Sequence, residues 1–336
     1  MTADYANSLD LSVIVPVRDE EENIAELVGR LTTTIDQIGL SYELIFVTDT
    51  NTDRTLEVLK EAHQRNPQVK VIKLSNSFGQ HIAAVAGLDV SRGDAVVLMD
   101  GDLQDHPEDI PKLYERMQQG FDVVYGIKRR KDDSRVRNLL SKAFLATMNR
   151  LCDHKLDHNT SMFRIMSRRT VNELRRFRES EQSLTGLVAL IGFPTDKVPV
   201  TSGCRKAGQT KYSFVRQVNF AVSFLLSFST KPLRMISIFG LLISVFSFAY
   251  LAWILTSAIF VGIPVAGWAT VVCLVTFLGG IQLLALGMIG EYIGRIFIES
   301  KKRPLYIVDQ TIGDLFPDEQ RNAESAPLVG VHDQDS

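Results

Sequence analysis

Asp94–Asp105 reads DAVVLMDGDLQD. An apolar, β-branched run leads straight into Asp100 and Asp102, separated by Gly101, then Gln104 and a third carboxylate, Asp105. A buried strand that ends this way predicts carboxylates converging on one hard cation. Mg2+ or Mn2+ suits such oxygen ligands and completes its shell with substrate phosphates. The candidate ligands are Asp100, Asp102, Gln104 and Asp105. The competing reading is a solvated turn with an aspartate capping the helix that Pro107 opens.

The flanking sequence favours the first reading. Leu11–Val17, Tyr42–Val47, Val69–Leu74 and Phe121–Tyr125 are further strand patterns, near-continuously apolar as buried strands are. Between them Asp19–Ile38, Thr52–Gln64, Gln80–Val90 and a segment from Pro107 to about Gly120 have helical spacing or helix-start signals. Such alternation predicts a mostly parallel sheet covered on both faces, with ligands along the edge where the strands finish. On that edge, Thr48–Asp53 (TDTNTD) offers Asp49 for a base or ribose, and Thr52 or Asn51 as a helix cap. Beyond Gly126 the pattern changes. Ser134–Arg150 reads as a basic helix, Thr160–Ile165 as an edge strand, Arg168–Phe177 and Gln182–Ile191 as helices, and Val198–Lys211 as a strand followed by a loop.

The chain has 336 residues and a formal net charge of −2. That balance conceals a partition. Residues 1–127 carry 22 acidic and 10 basic side chains, residues 128–178 carry 5 and 15, and residues 195–234 carry 1 and 7. Met235–Gly290, 56 consecutive residues, carries no Asp, Glu, Lys or Arg. About 20 residues of helix cross a bilayer core, so this stretch predicts two spans and excludes a purely soluble protein. Tyr212–Ser229 fits an interfacial helix. Lys231 and Arg234 precede the first span, and Arg295, Lys301, Lys302 and Arg303 follow the second, so both ends are expected in the cytoplasm. The first ten residues have neither a basic start nor an apolar core, so no signal peptide is expected.

A basic region running into an apolar hairpin suits an anionic membrane surface or a phosphate-bearing substrate better than nucleic acid. Arg205-Lys206-Ala207-Gly208-Gln209-Thr210-Lys211 can be a solvated loop or a cationic loop that closes over a diphosphate. Neither a dinucleotide-binding Gly-x-Gly-x-x-Gly nor a P-loop occurs, no histidine pair has zinc spacing, and there is no nucleophile elbow. Cys152, Cys204 and Cys273 are too scattered for a disulfide framework.

At these residues the sequence resembles family 2 glycosyltransferases of the polyprenyl-phosphate group. That group includes bactoprenol glucosyltransferases, dolichol-phosphate mannose synthases and undecaprenyl-phosphate aminoarabinose transferases. The matching stretches are IVPVRDEEENI (14–24), FVTDTNTDRT (46–55), NSFGQHIAAVAGLD (76–89), GDAVVLMDGDLQDHPEDIP (93–111), FDVVYGIK (121–128), AGQTKYSF (207–214), STKPLRM (229–235) and LGMIGEYIGRI (286–296). The resemblance implies a GT-A catalytic domain, an α/β fold with a Rossmann-like, mostly parallel sheet. It implies a nucleotide-sugar held by Pro16, Glu20, Asp49, Asp100 and Asp102, with Mg2+ or Mn2+ on Asp100, Asp102 and Gln104. Arg164, Arg205 and Lys211 match positions that face phosphates, and with Asp102 they form the implied catalytic set. The chain departs from the family in having Arg18-Asp19-Glu20 for Tyr-Asn-Glu, Thr48-Asp49-Thr50-Asn51 for Asp-Asp-Gly-Ser, and Ser161-Met162 for the Gly-Asp before Phe-Arg.

The expected organisation is a cytoplasmic GT-A domain over 1–211, an interfacial segment over 212–232, two transmembrane helices over 233–292 and a cytoplasmic tail over 293–336. The expected activity is inverting transfer of one sugar, from a UDP- or GDP-linked donor to a polyprenyl phosphate at the cytoplasmic leaflet of the plasma membrane. Gly279, Gly280, Gly287 and Gly290 would permit close helix contact and hence self-association. A processive glycan synthase needs a larger helical bundle, a non-catalytic nucleotide-binding scaffold would not need the intact aspartates, and a channel would need an ionisable group within the hairpin.

Overall fold

The computed structural model describes residues 9–128, 162–179, 184–201, 231–261 and 267–315. The basic helix expected over 134–150, the loop with Arg205 and Lys211, and nearly all of the interfacial segment lie outside these residues. The chain divides into two compact units, one of 1–133, 157–210 and 304–336, the other of 134–156 and 211–303.

The first unit is built on one eight-stranded sheet. Its strands are β1 (Leu11–Val17), β2 (Tyr42–Thr48), β3 (Val69–Leu74), β4 (Ala95–Leu98), β5 (Val123–Lys128), β6 (Arg164–Ser167), β7 (Thr195–Val200) and β8 (Val308–Ile312), in the order β7-β5-β6-β4-β1-β2-β3-β8. The β1–β2, β1–β4, β2–β3 and β5–β7 pairs are parallel, and β6 and β8 run antiparallel to their neighbours. The sheet is thus α/β and mostly parallel, as expected.

Side chains alternate across such a sheet. Leu11, Val13, Val15 and Val17 of β1 join Leu44 and Phe46 in one buried cluster with Ile24, Leu27, Leu31 and Ile35 of α1 (Glu21–Ile38). On the other face α3 (Gln80–Val90) approaches so closely that a Cβ on Gly87 would stand 2.4 Å from Ile14 Cγ2. Among the described residues, the remaining α-helices of this unit are α2 (Thr55–Arg65), α4 (Ile110–Gln118), α5 (Arg168–Leu174) and α6 (Leu184–Ile191).

Three strands correct the sequence reading. β6 is internal, between β4 and β5, because its short run is hydrogen-bonded on both sides. The strand expected from Val198 instead begins at Thr195 and ends at Val200, along an edge. Val308–Ile312 returns from the tail to pair with β3. Pro107–Asp109 forms a single 3-10 turn before α4. The expected cap of α2 also differs: Asp53, not Thr52 or Asn51, accepts a hydrogen bond from the first helical N–H, that of Thr55, at 3.0 Å.

The second unit contains two long helices, α7 (Lys231–Val261) and α8 (Trp268–Ser300), which contact each other. Among the described residues, Phe277–Ser300 is long and apolar enough to cross a membrane, and Ile236–Tyr250 is a shorter apolar stretch. Phe246 and Phe260 are 75% and 83% exposed.

Candidate active site at the carboxyl edge of the sheet

Strands β1 to β4 finish on one edge, and each runs into a turn that carries candidate residues. After β4 the turn is organised by Asp105, which is fully buried. Its Oδ2 accepts the Asp100 backbone N–H at 3.0 Å, and its Oδ1 lies 2.7 Å from Lys128 Nζ. Asp102 is fixed by its neighbour: Gln104 donates to it from the backbone N–H at 3.1 Å and from Nε2 at 2.7 Å. Gln80, the first residue of α3, donates to Asp100 Oδ1 at 2.5 Å. Gly101 is sterically required, since a Cβ there would sit 2.5 Å from Val17 Cγ1. Leu103 holds φ +61, strain that clusters at functional turns.

The turn therefore concentrates negative charge. Burial, then the charges of Asp105 and Asp102, push the Asp100 carboxyl up to about 7, while Lys128 and Gln80 oppose this. A divalent cation would relieve the crowding, and the donors are the hard oxygens it prefers. Among the described residues no group of three or more His, Cys, Asp or Glu side chains is arranged to hold a metal alone. Two carboxylates and an amide oxygen suit an ion whose remaining ligands come from a bound diphosphate.

Across β1, at the end of β2, Asp49 is buried. Ser77 Oγ donates to its Oδ2 at 2.7 Å, and Arg18 Nη1 donates to Ser77 Oγ at 2.8 Å. The turn after β1 is tied to that after β2: Asp19, at φ +54, accepts from the Thr52 N–H at 2.6 Å and hydroxyl at 3.1 Å. Glu20 accepts from Asn23 Nδ2 at 2.5 Å, and its own N–H donates to Thr55 Oγ1 at 2.9 Å. Pro16 is buried within β1 opposite Val47.

Arg164, opposite Leu98 in the β4–β6 ladder, is almost completely buried. Its Nη2 donates to Thr185 Oγ1 at 3.1 Å and its Nε to the Met162 carbonyl at 3.2 Å, with the Tyr125 ring 5.1 Å away. Burial draws its pKa down, opposed by Tyr125 and Asp100. The same charge, after burial, lowers the pKa of His81. The Arg164 guanidinium and the Asp100 carboxylate are close enough for their charges to interact.

The structure thus brings Asp100, Asp102 and Gln104 into one turn, with Glu20 and Asp49 on neighbouring strand ends. Arg18, Ser77, Gln80 and Lys128 were not singled out as site residues in the sequence, and Asp105 entered only as the third carboxylate of the motif. Ser77 and Gln80 lie within the family-like stretch 76–89, which was the one signal pointing to them.

Comparison with known proteins accords with this arrangement. The glycosyl transferase family 2 model matches residues 12–175, which include every site element described above up to Arg164. An uncharacterized glycosyltransferase of Synechocystis sp. is 37% identical over 307 residues, 91% of this chain and 96% of that one. The bactoprenol glucosyl transferase of Shigella phage SfV is 35% identical over 301 residues, 89% and 98% of the two chains. A solved glucosyl-3-phosphoglycerate synthase from Mycobacterium tuberculosis, with Mn2+, UDP-glucose and phosphoglyceric acid, matches at 18% identity and TM-score 0.49 over 65% of this chain and 79% of that chain. With a mostly parallel α/β sheet and relatives of this kind aligned over most of both chains, the chain belongs to glycosyl transferase family 2.

Proposed function

We propose that this glycosyltransferase moves one sugar from a nucleotide-sugar to a polyprenyl phosphate at a membrane surface. One observation carries the reading. The aspartate turn after β4 and Asp49 after β2 lie on one sheet edge, on either side of β1, so that one ligand can reach both.

In this reading Asp49 receives the base, with Pro16 and Glu20 lining that side, and Asp100, Asp102 and Gln104 hold Mg2+ or Mn2+. The cation, when bound, supplies charge neutralisation for the departing diphosphate. Gln80 and Lys128 keep the carboxylates oriented. An oxygen of the acceptor phosphate bonds to the anomeric carbon as the bond from that carbon to the diphosphate breaks, inverting the centre. A phosphate monoester has a second pKa near 6, so the nucleophile is already mostly ionised at neutral pH and needs no strong base. The harder task is bringing two anions together, and Arg164, Arg205 and Lys211 are assigned to it.

α7 and α8 serve as two membrane spans, with basic residues Lys231, Arg234, Arg295, Lys301, Lys302 and Arg303 keeping both ends on the cytoplasmic side. The relatives named bactoprenol glucosyl transferase support glucose as the sugar and a bactoprenol-type lipid as the acceptor. Self-association through the α8 glycines belongs to the same reading. The test is transfer of labelled sugar to undecaprenyl phosphate by the purified full-length protein in detergent. The reading expects lipid-linked product with Mn2+ or Mg2+ and none after chelation. Full transfer in EDTA would refute the metal role, and lack of product with every nucleotide-sugar would refute the activity.

A further inference from the structure

Resting on the assignment of a divalent cation to the aspartate turn, we infer that Lys128 is a positioning residue that withholds the third carboxylate, Asp105, from that cation and so makes metal binding depend on the incoming diphosphate. Asp100, Asp102 and Asp105 all lie in the turn after β4. Affinity for a hard cation rises with the number of charged oxygen ligands, so three converging carboxylates would hold the ion without help from a substrate. Among the described residues the three do not converge in that way. Asp105 is the one held back. It is fully buried, its Oδ2 accepts the Asp100 N–H at 3.0 Å, and its Oδ1 forms an ion pair with Lys128 Nζ at 2.7 Å.

A carboxylate oxygen with one partner keeps a second lone pair, so these contacts alone do not bar a cation. The charge on Lys128 does. A Mg2+ ion sits about 2.1 Å from an oxygen ligand. With Lys128 Nζ 2.7 Å from Oδ1, an ion on that oxygen would stand at most about 5 Å from the ammonium. Like charges that close repel strongly where water is excluded, and Asp105 is sealed from water. The contact is also anchored at both ends by the sheet. Lys128 is the last residue of β5, and β6 separates β5 from β4, so the ion pair spans two strand positions along the edge. What remains for the ion is Asp100, Asp102 and the neutral amide oxygen of Gln104. Two carboxylates hold it loosely until a diphosphate adds its own oxygens and negative charge, so cation and nucleotide enter together.

The experiment titrates Mn2+ alone into the full-length protein in detergent and follows free Mn2+ by electron paramagnetic resonance. Lys128→Met is expected to bind Mn2+ at least about tenfold more tightly than wild type, a small share of the repulsion between a double and a single charge at that separation. Lys128→Arg, which keeps the charge, is expected to stay within about threefold of wild type. The double variant Lys128→Met with Asp105→Asn removes both charges, keeps an oxygen for the Asp100 N–H, and is expected to lose the gain. It also serves where the single variant leaves Asp105 too poorly compensated to fold. A merely structural role for Lys128 would weaken Mn2+ binding or leave it unchanged. Either result in Lys128→Met, or a double variant that binds Mn2+ as tightly as Lys128→Met, would overturn the inference while sugar transfer by wild type persists. If wild type binds no Mn2+ even with UDP or GDP present and transfers no sugar, the glycosyltransfer reading falls with it.

Discussion

Asp100 is the residue whose state depends most on its surroundings. Its pKa of about 7 lies well above the ordinary carboxylate value near 4, because burial and then Asp105 and Asp102 disfavour the charge. A folded-state value raised in this way means folding favours the neutral form. Its stabilising contribution is complete below about pH 4 and is lost as the pH rises through about 7. Chelator-treated protein is therefore expected to lose thermal stability between these limits, and Asp100→Asn to flatten that part of the profile. Scanning fluorimetry across pH checks this. The candidate ligands were visible in the sequence because Asp100, Asp102 and Gln104 follow directly on an apolar strand. Lys128 was not, since its pairing with Asp105 joins residues 23 positions apart that no local pattern links.

The strand from the tail is the element that sequence reading could not supply. VDQTI is largely polar and exposed, with no alternating face, and its order comes from backbone pairing with β3. Strands β1 to β4 were legible because both faces are buried, leaving continuous apolar runs. The segment around β8 also secures the loop that leads to Ser77 and Gln80. Ser75 N–H donates to the Ile307 carbonyl at 2.9 Å, and Tyr306 Oη donates at 2.7 Å to Asp89, which Arg178 also grips. Tyr306→Phe removes a hydrogen bond to a charged group and is expected to cost about 1.5–3 kcal/mol. Denaturant titration measures this, and a raised donor KM would show that the loop loosens with the strap.

Taken together, the two edges of the sheet divide stability from chemistry. At the amino edge, Glu43 is fully buried and accepts from Lys70 Nζ, Ser12 Oγ and the Arg92 N–H, each at 2.7 Å. Burial alone would raise its pKa, but these donors together hold it below the ordinary range. Its stabilisation is accordingly complete above about pH 4 and is lost as the pH falls through the lower folded value. Glu43→Gln leaves Lys70 buried without its counter-ion and is expected to cost about 3–5 kcal/mol, while the donor KM of the folded fraction stays unchanged. The carboxyl edge holds the candidate site, and the acidic first half of the sequence did not reveal which of its acids serve the fold. The central claim is that Asp102 helps hold the charge that neutralises the leaving diphosphate. Its most direct test is the rate of sugar transfer by full-length Asp102→Ala, measured beside its melting temperature. A fall of about a hundredfold or more at an unchanged melting temperature is predicted. A rate within about twofold of wild type would contradict the claim, being far less than the loss of such a stabilising group produces.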